Sequence, residues 1–329
     1  MNLLQGKISS VMNINCLRRN LFSASSALPA VQLPAKKELH FWYILPDEVN
    51  SANLLNQYLE ILSPCEKENI FRMRGEQLKK RALLARTLVR TTLARYQTNC
   101  QIDPKSLKFR KNNYGKPEVD WQYSDDWSLP PLHFNISHTS SLIACGVTVD
   151  STIGIDVEEK QRRLKNDILA FARRYFTLRE VEMLTGISDP ETQRQEFIKL
   201  WTLKEAYVKA LGKGFSASPF NTFTVRLRDS MEKGTCHASH LISEVPEIII
   251  ESSGDPNNPS ENWQFVLLEL LGSHYAAICM EQDMISGGNG SVPINLIIRK
   301  TIPFVKDEFM SSGTDVVVVG GLTRLLGPA

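Results

Sequence analysis

Apolar residues recur at helical spacing over 197–214 (FIKLWTLKEAYVKALGKG). Phe197, Leu200, Trp201, Tyr207, Val208 and Leu211 predict a helix with one buried face. Gly212 and Gly214 then end it, because a residue without a Cβ takes the left-handed C-terminal position without strain. The same reading predicts helices over 52–62, from Ser63-Pro64 onward with proline at the first helical position, and over 170–175 and 178–184. A long helix is expected within 66–96, its apolar face made by Leu83, Leu84, Leu88, Val89 and Leu93. Thr177 stands three residues before Glu180, a capping box that by itself accounts for that glutamate. Strands are expected at 38–45, 133–138, 223–228 and 247–252. Segments 142–149 and 151–157 should pair about a tight turn at Val149-Asp150, and 263–271 with 274–280 about Gly272-Ser273. The stretch WQFVLLELLGSHYAAICM echoes HFNISHTSSLIACGVT: strand, polar break, then a strand of small residues.

Charge changes this picture in two places. The 66–96 segment carries Arg72, Arg74, Lys79, Lys80, Arg81, Arg86, Arg90 and Arg95; a solvated face explains about half of them, and the rest could meet phosphates or an acidic partner. Residues 1–37 hold Lys7, Arg18, Arg19, Lys36 and Lys37 and no acid. This acid-free leader, with CLRRNLFSASSA inside it, reads as a mitochondrial or plastid transit peptide, the rival being a disordered extension with no address. The net charge of +2 over 329 residues gives no argument for nucleic acid. No run approaches the roughly eighteen apolar residues of a spanning helix, so a soluble protein is expected. The six cysteines are scattered without zinc spacing and are expected as reduced thiols. Asn135-Ile136-Ser137 matches a glycosylation acceptor, which carries no weight without a secretory route. The tail, 283–329, stays open between a disordered extension, an added edge strand and a variant end.

Candidate chemistry lies across the helical pattern. Glu205 and Lys209, four apart, stack on one side of their helix; alone they would be a surface ion pair. In Gly154-Ile155-Asp156-Val157-Glu158 the two acids are two apart in an extended run and share a face. Three carboxylates with a lysine one turn beyond the third suit a hard divalent cation holding a phosphate, since magnesium takes few carboxylates and fills its shell with water and phosphate oxygens. Ser137-His138 is either a turn pair or a pair of hydrogen-bond donors to phosphate. Lys116 lies in a turn-rich basic loop, 108–118. No G-x-x-x-x-G-K-[ST] loop and no G-x-S-x-G elbow occurs.

The gapped combination G-I-D-V-E then W-T-L-K-E-A-Y-V-K-A-x-G-K-G, with F-N-I-S-H-T and Y-G-K-P upstream, resembles the signature of the 4′-phosphopantetheinyl transferases, in the two-segment, surfactin-synthetase-activating (Sfp) form. The resemblance covers about 38–282. It implies an α+β fold of two pseudo-symmetric α/β halves, 38–150 and 151–282, with the active site in the cleft between them, after a leader (1–37) and before an unmatched tail (283–329). The implied reaction moves 4′-phosphopantetheine from coenzyme A to a serine of an apo acyl or peptidyl carrier protein, releasing adenosine 3′,5′-bisphosphate. Magnesium would be held by Asp156, Glu158 and Glu205. Coenzyme A would be held by Arg81 and Arg86 at its 3′-phosphate, with Arg74 a looser match, and by Lys116, Ser137, His138 and Lys209. Glu205, or a water beside Glu158, would take the serine proton, and Lys209 would neutralise or protonate the leaving phosphate. A match to F-F-x-x-x-E also allows Glu180 a place at the site edge. The expected enzyme is a monomeric organellar holo-acyl-carrier-protein synthase, mitochondrial, with plastid and cytosol as alternatives, whose acidic partner would meet some of the Arg72 to Arg90 charges. Two rivals are an inactive carrier-binding homologue, which need not keep all of Asp156, Glu158, Glu205 and Lys209, and a magnesium-dependent nucleotidase or kinase, for which the phosphate loop is missing.

Overall fold

The computed structural model describes residues 28–96, 103–120, 132–163, 167–214, 218–228, 246–252, 263–281, 293–321 and 323–326. Its first sheet begins with β1 (Glu38–Ile44), which leads into α1 (Ala52–Glu60), α2 (Pro64–Phe71) and α3 (Glu76–Ala94). A small hairpin follows, β2 (Phe109–Lys111) and β3 (Pro117–Val119), then β4 (Leu132–His138) and β5 (Ile143–Val149). The second sheet begins with β6 (Ile153–Glu159) and continues through α4 (Ile168–Tyr175), α5 (Leu178–Thr185) and α6 (Pro190–Leu211). The hairpin β7 (Phe223–Arg228) and β8 (Glu247–Ser252) precedes β9 (Trp263–Leu270) and β10 (His274–Glu281). The tail supplies β11 (Ile294–Ile302), β12 (Lys306–Met310), β13 (Val316–Gly321) and β14 (Thr323–Leu325).

Strand order in the first sheet is β12-β11-β1-β5-β4, with β14 also on β11; in the second it is β13-β9-β10-β6. Two-residue alternation sorts each strand between two cores. On β1, Trp42 and Ile44 join the core under α1–α3, whereas Leu39, Phe41 and Tyr43 join a core shared by both sheets. On β10, Tyr275, Ala277 and Cys279 face the core of α4–α6, and Ala276, Ile278 and Met280 face the shared one. The result is helices, sheet, sheet, helices. No helix among the described residues is long and apolar enough to cross a membrane.

The long helix expected within 66–96 is α3, set off from α2 by Gly75 at φ +97°, a backbone state foreign to a helix. Three expectations are corrected. Segments 142–149 and 151–157 do turn at Asp150 (φ +62°), but they do not pair: β5 pairs with β1 and β4, and β6 with β10. The helix expected from 197 starts at Pro190, capped by the Asp189 side chain on the Thr192 amide. The tail is neither an extension nor one edge strand, since β11 lies parallel to β1 inside the first sheet and β13 antiparallel to β9 in the second. Residues 28–37 also belong to the folded body. Arg95 Nε donates to the Pro29 carbonyl (2.9 Å), the Val31 amide donates to the Arg95 carbonyl (2.9 Å), and Val31 and Leu33 pack on the helical core. Residues 1–27 of the leader lie outside the described residues.

Candidate active site

The site starts from a close approach. A Cβ on Gly154 would lie 2.0 Å from the Ala206 carbonyl and 2.2 Å from the Ala210 amide, so only glycine lets α6 settle on β6. That contact sets Glu205 and Lys209 beside Asp156 and Glu158. Lys209 Nζ donates to Asp156 Oδ1 (2.6 Å), and Ser137 Oγ donates to the same oxygen (2.8 Å). Ser137 Oγ also accepts the Val157 amide (3.2 Å), and Asn135 Oδ1 accepts the Ile155 amide (2.8 Å). Side chains of β4 thus take up amides that β6, an edge strand, would leave unpaired. The two sheets are joined at the place where the acids sit. Asp156 Oδ2 is buried and has no hydrogen-bond partner among the described residues.

Electrostatics converge on the same point. Burial, then the negative charge of Asp156, push Glu158 up to about 7, against the pull of Arg162 and Lys209. Burial and Asp156 also raise Glu205. Both carboxylates therefore gain from a cation. Arg162 is one already: its guanidinium pairs with Glu158 and lies 5.5 Å over the Trp201 ring. Near the acids, partial burial and then the cations Lys209 and Arg81 lower the His138 pKa, against the pull of Asp156, so the rim there is positive.

Comparison with known proteins decides what the arrangement belongs to. Residues 50–148 match the family model described as 4′-phosphopantetheinyl transferase, N-terminal, and residues 152–245 match that of the 4′-phosphopantetheinyl transferase superfamily. A 4′-phosphopantetheinyl transferase of Bacillus subtilis is 31% identical over 61% of this chain and 79% of its own length. The chain belongs to the 4′-phosphopantetheinyl transferase superfamily. The 4′-phosphopantetheinyl transferase HetI of Nostoc is 30% identical over 64% of this chain and 84% of that protein. The L-aminoadipate-semialdehyde dehydrogenase-phosphopantetheinyl transferase of Xenopus laevis is 24% identical over 67% and 68%. The Sfp-type resemblance is supported, and the inactive alternative is not. As a 4′-phosphopantetheinyl transferase, the protein moves phosphopantetheine from coenzyme A to carrier proteins.

In this transferase the expected site residues separate into groups. Asp156, Glu158, Glu205, Lys209, Ser137 and His138 come together, with Arg81 within electrostatic reach of His138. Ser137 is spent on Asp156 and the Val157 amide, so it orients the acid. Arg86 is exposed on α3, on the wall of a cavity of about 480 Å³ with Phe109, Phe134 and Ile136 on its floor. Lys116 stands apart: its ammonium donates to the Ile153 carbonyl (2.8 Å), and burial lowers its pKa to about 8. Arg90, counted among the basic charges open to a partner, is buried on Glu66 and on the carbonyls of Pro104 and Leu107. Glu180 is buried as well; it completes the capping box with Thr177, accepts the Val225 amide (2.8 Å) and pairs with Lys204 (2.9 Å), and none of these contacts reaches the cleft.

Sequence reasoning passed over Asn135, Arg162 and Lys204. Asn135 had a signal, an amide two residues before Ser137 on the same strand face. Lys204 had a stronger one, sitting four residues after Leu200 and four before Val208, on the apolar stripe itself. Arg162 had none, since it follows β6 in an irregular stretch.

Proposed function

We propose that Asp156, Glu158 and Glu205 hold a divalent cation, magnesium, against the pyrophosphate of coenzyme A, and that the attacking group is a serine of an apo acyl carrier protein. The observation carrying this reading is Asp156: one oxygen is fixed by Ser137 and Lys209, the other is buried with no donor to it among the described residues. A buried carboxylate oxygen without a partner costs about 1–3 kcal/mol, which a cation would recover. Among the described residues no three acidic, histidine or cysteine side chains are gathered into a ready cage. Magnesium does not require one, because it is bound through one or two carboxylates with phosphate and water completing six positions. When bound, the ion neutralises charge on the pyrophosphate oxygens.

The chain's own residues do the remaining work. Lys209 is set to neutralise the leaving phosphate. Glu205, its proton affinity raised by burial and by Asp156, is suited to take the serine proton, and Glu158 shares that property. Arg81, Arg86 and His138 bind the nucleotide end of coenzyme A at its 3′-phosphate, whereas Lys116, expected there too, is turned to the Ile153 carbonyl. The test is to incubate the purified protein with coenzyme A and an apo carrier, with magnesium or with chelator, and to weigh the carrier. A phosphopantetheine adduct that appears with magnesium and is lost in chelator is expected; equal transfer under both conditions would refute the metal assignment.

For location, we propose mitochondrial import, with plastids as the alternative, an organellar carrier protein as partner, and a monomeric enzyme. The acid-free, basic residues 1–27 support this. Removal of the leader should stop short of Pro29, whose carbonyl is held by Arg95. A fusion of residues 1–40 to a fluorescent protein should reach the organelle, and a diffuse cytosolic signal would refute it.

A further inference from the structure

β4 ends at His138, and residues 139–142 turn the chain into β5, His138 facing Ile143 in the ladder. The turn closes on itself through Thr139: its amide donates to the Leu142 carbonyl (2.8 Å), and its Oγ1 accepts the amides of Leu142 (3.0 Å) and Ser141 (3.2 Å). It is also held from the other sheet. His274, at the start of β10, places Nε2 3.0 Å from Ser141 Oγ and 3.2 Å from Thr139 Oγ1. Glu159, which faces His274 across the β6–β10 ladder, accepts from Ser141 Oγ (2.8 Å) and from Ser140 Oγ.

Ser141 gives its own proton to Glu159, so its oxygen receives Nε2–H of His274. Burial lowers the pKa of the imidazole against the pull of Glu159, and in the neutral ring Nδ1 accepts from Ser273 Oγ (2.9 Å). Among the described residues the side-chain hydrogen bonds of His274 and Glu159 lead into the turn, and the residue before the turn is His138.

We propose that His274 and Glu159 are positioning residues for coenzyme A, fixing the 139–141 turn from the opposite half so that His138 is held at the 3′-phosphate. The proposal rests on His138 being the 3′-phosphate contact. The clamp joins the turn of one sheet to the first strand pair of the other, so it also fixes the width of the cleft at the nucleotide end. A preset His138 spares the ligand the entropy of ordering that loop on binding.

The experiment compares coenzyme A with dephospho-coenzyme A, which lacks the 3′-phosphate, in direct binding and in turnover. His138→Ala, His274→Ala and Ser141→Ala should each weaken coenzyme A binding about tenfold, the scale of one lost charge-assisted contact, and change dephospho-coenzyme A much less. KM for coenzyme A should rise more than kcat falls. His274→Gln, which keeps an N–H at similar reach, should recover most of the loss, and the double variant H138A/H274A should be no worse than H138A alone. Should His138→Ala remove the preference for coenzyme A while His274→Ala and Ser141→Ala keep it, the clamp is wrong and the 3′-phosphate reading stands. Should His138→Ala keep the preference, the reading beneath the clamp fails and the clamp falls with it. Equal losses for both ligands, together with a lowered Tm, would mean that His274 only stabilises the fold.

Discussion

Lys204 is the side chain whose surroundings differ most from what a surface lysine would have. It has no exposed area, donates to the carbonyls of Phe220 (2.8 Å) and Phe223 (2.5 Å), pairs with Glu180, and lies 4.1 Å from the centre of the Phe223 ring. Burial lowers its pKa to about 8 against the pull of Glu180, so the ion pair holds in place while remaining costly to keep charged. Lys204→Met leaves Glu180 as an unpaired buried charge and is expected to destabilise the protein by about 3–5 kcal/mol, read from urea unfolding. Glu180→Gln should cost less, since an amide oxygen still serves the Thr177 and Val225 amides. At the cleft the sign of the readout reverses: Asp156→Ala and Glu205→Ala should leave the melting curve nearly intact and reduce transfer on the order of a hundredfold or more. Turnover near the parent's would remove both from the site. The carboxylates and Lys209 were legible because spacing alone, two in a strand and four in a helix, puts them on common faces. The Ser137 and Asn135 contacts were not, since they depend on β4 lying beside β6, and no local pattern reports a neighbour from another sheet.

Elements carry two further expectations. The approach of α6 to β6 rests on Gly154, and Gly154→Ala would press a methyl into helix backbone that has no side chain to move aside. A loss of about 1–3 kcal/mol or more is expected by calorimetry, with transfer falling further than stability because Glu205 and Lys209 are displaced with the helix. The α2–α3 pair is fixed differently. Glu66 closes the capping box with Ser63 and takes both Arg90 Nε (2.9 Å) and Nη2 (2.7 Å). Burial would raise the Glu66 pKa, but the Arg90 and Ser63 hydrogen bonds outweigh it and the net shift is downward. A depressed carboxylate stabilises the fold above its unfolded pKa and loses that contribution as pH falls through the folded one. The stability gap between the parent and Glu66→Gln should therefore be full at neutral pH and close below about pH 4, a unit of carboxylate titration. A gap unchanged from pH 7 to pH 3 would contradict the assignment. Element identity was legible from periodicity and capping residues. Pairing was not: the turn at Asp150 looks like a hairpin in sequence, yet it carries the chain from one sheet to the other.

For the whole molecule the decisive segment is the tail. Ile294, Leu296, Ile298 and Val316 are all buried in the core between the sheets. Each contributes about 1.5–3 kcal/mol by burial, and their sum is comparable with the 5–15 kcal/mol that separates a folded domain from its unfolded chain. A chain ending at residue 282 should therefore be insoluble or molten, judged by expression and near-ultraviolet circular dichroism, although every candidate site residue lies before that point. The two halves were legible from their motifs, whereas the tail was not, because strands such as INLIIRK and DVVVV fit an edge and an interior position equally well. Its place has a consequence in time. Glu38 pairs with Asn295, so the first strand made waits for one of the last. At about 5–20 residues per second, the ribosome takes on the order of tens of seconds to span that interval. Throughout it, the edge of β1 that β11 will cover stays unpaired and open to any passing chain.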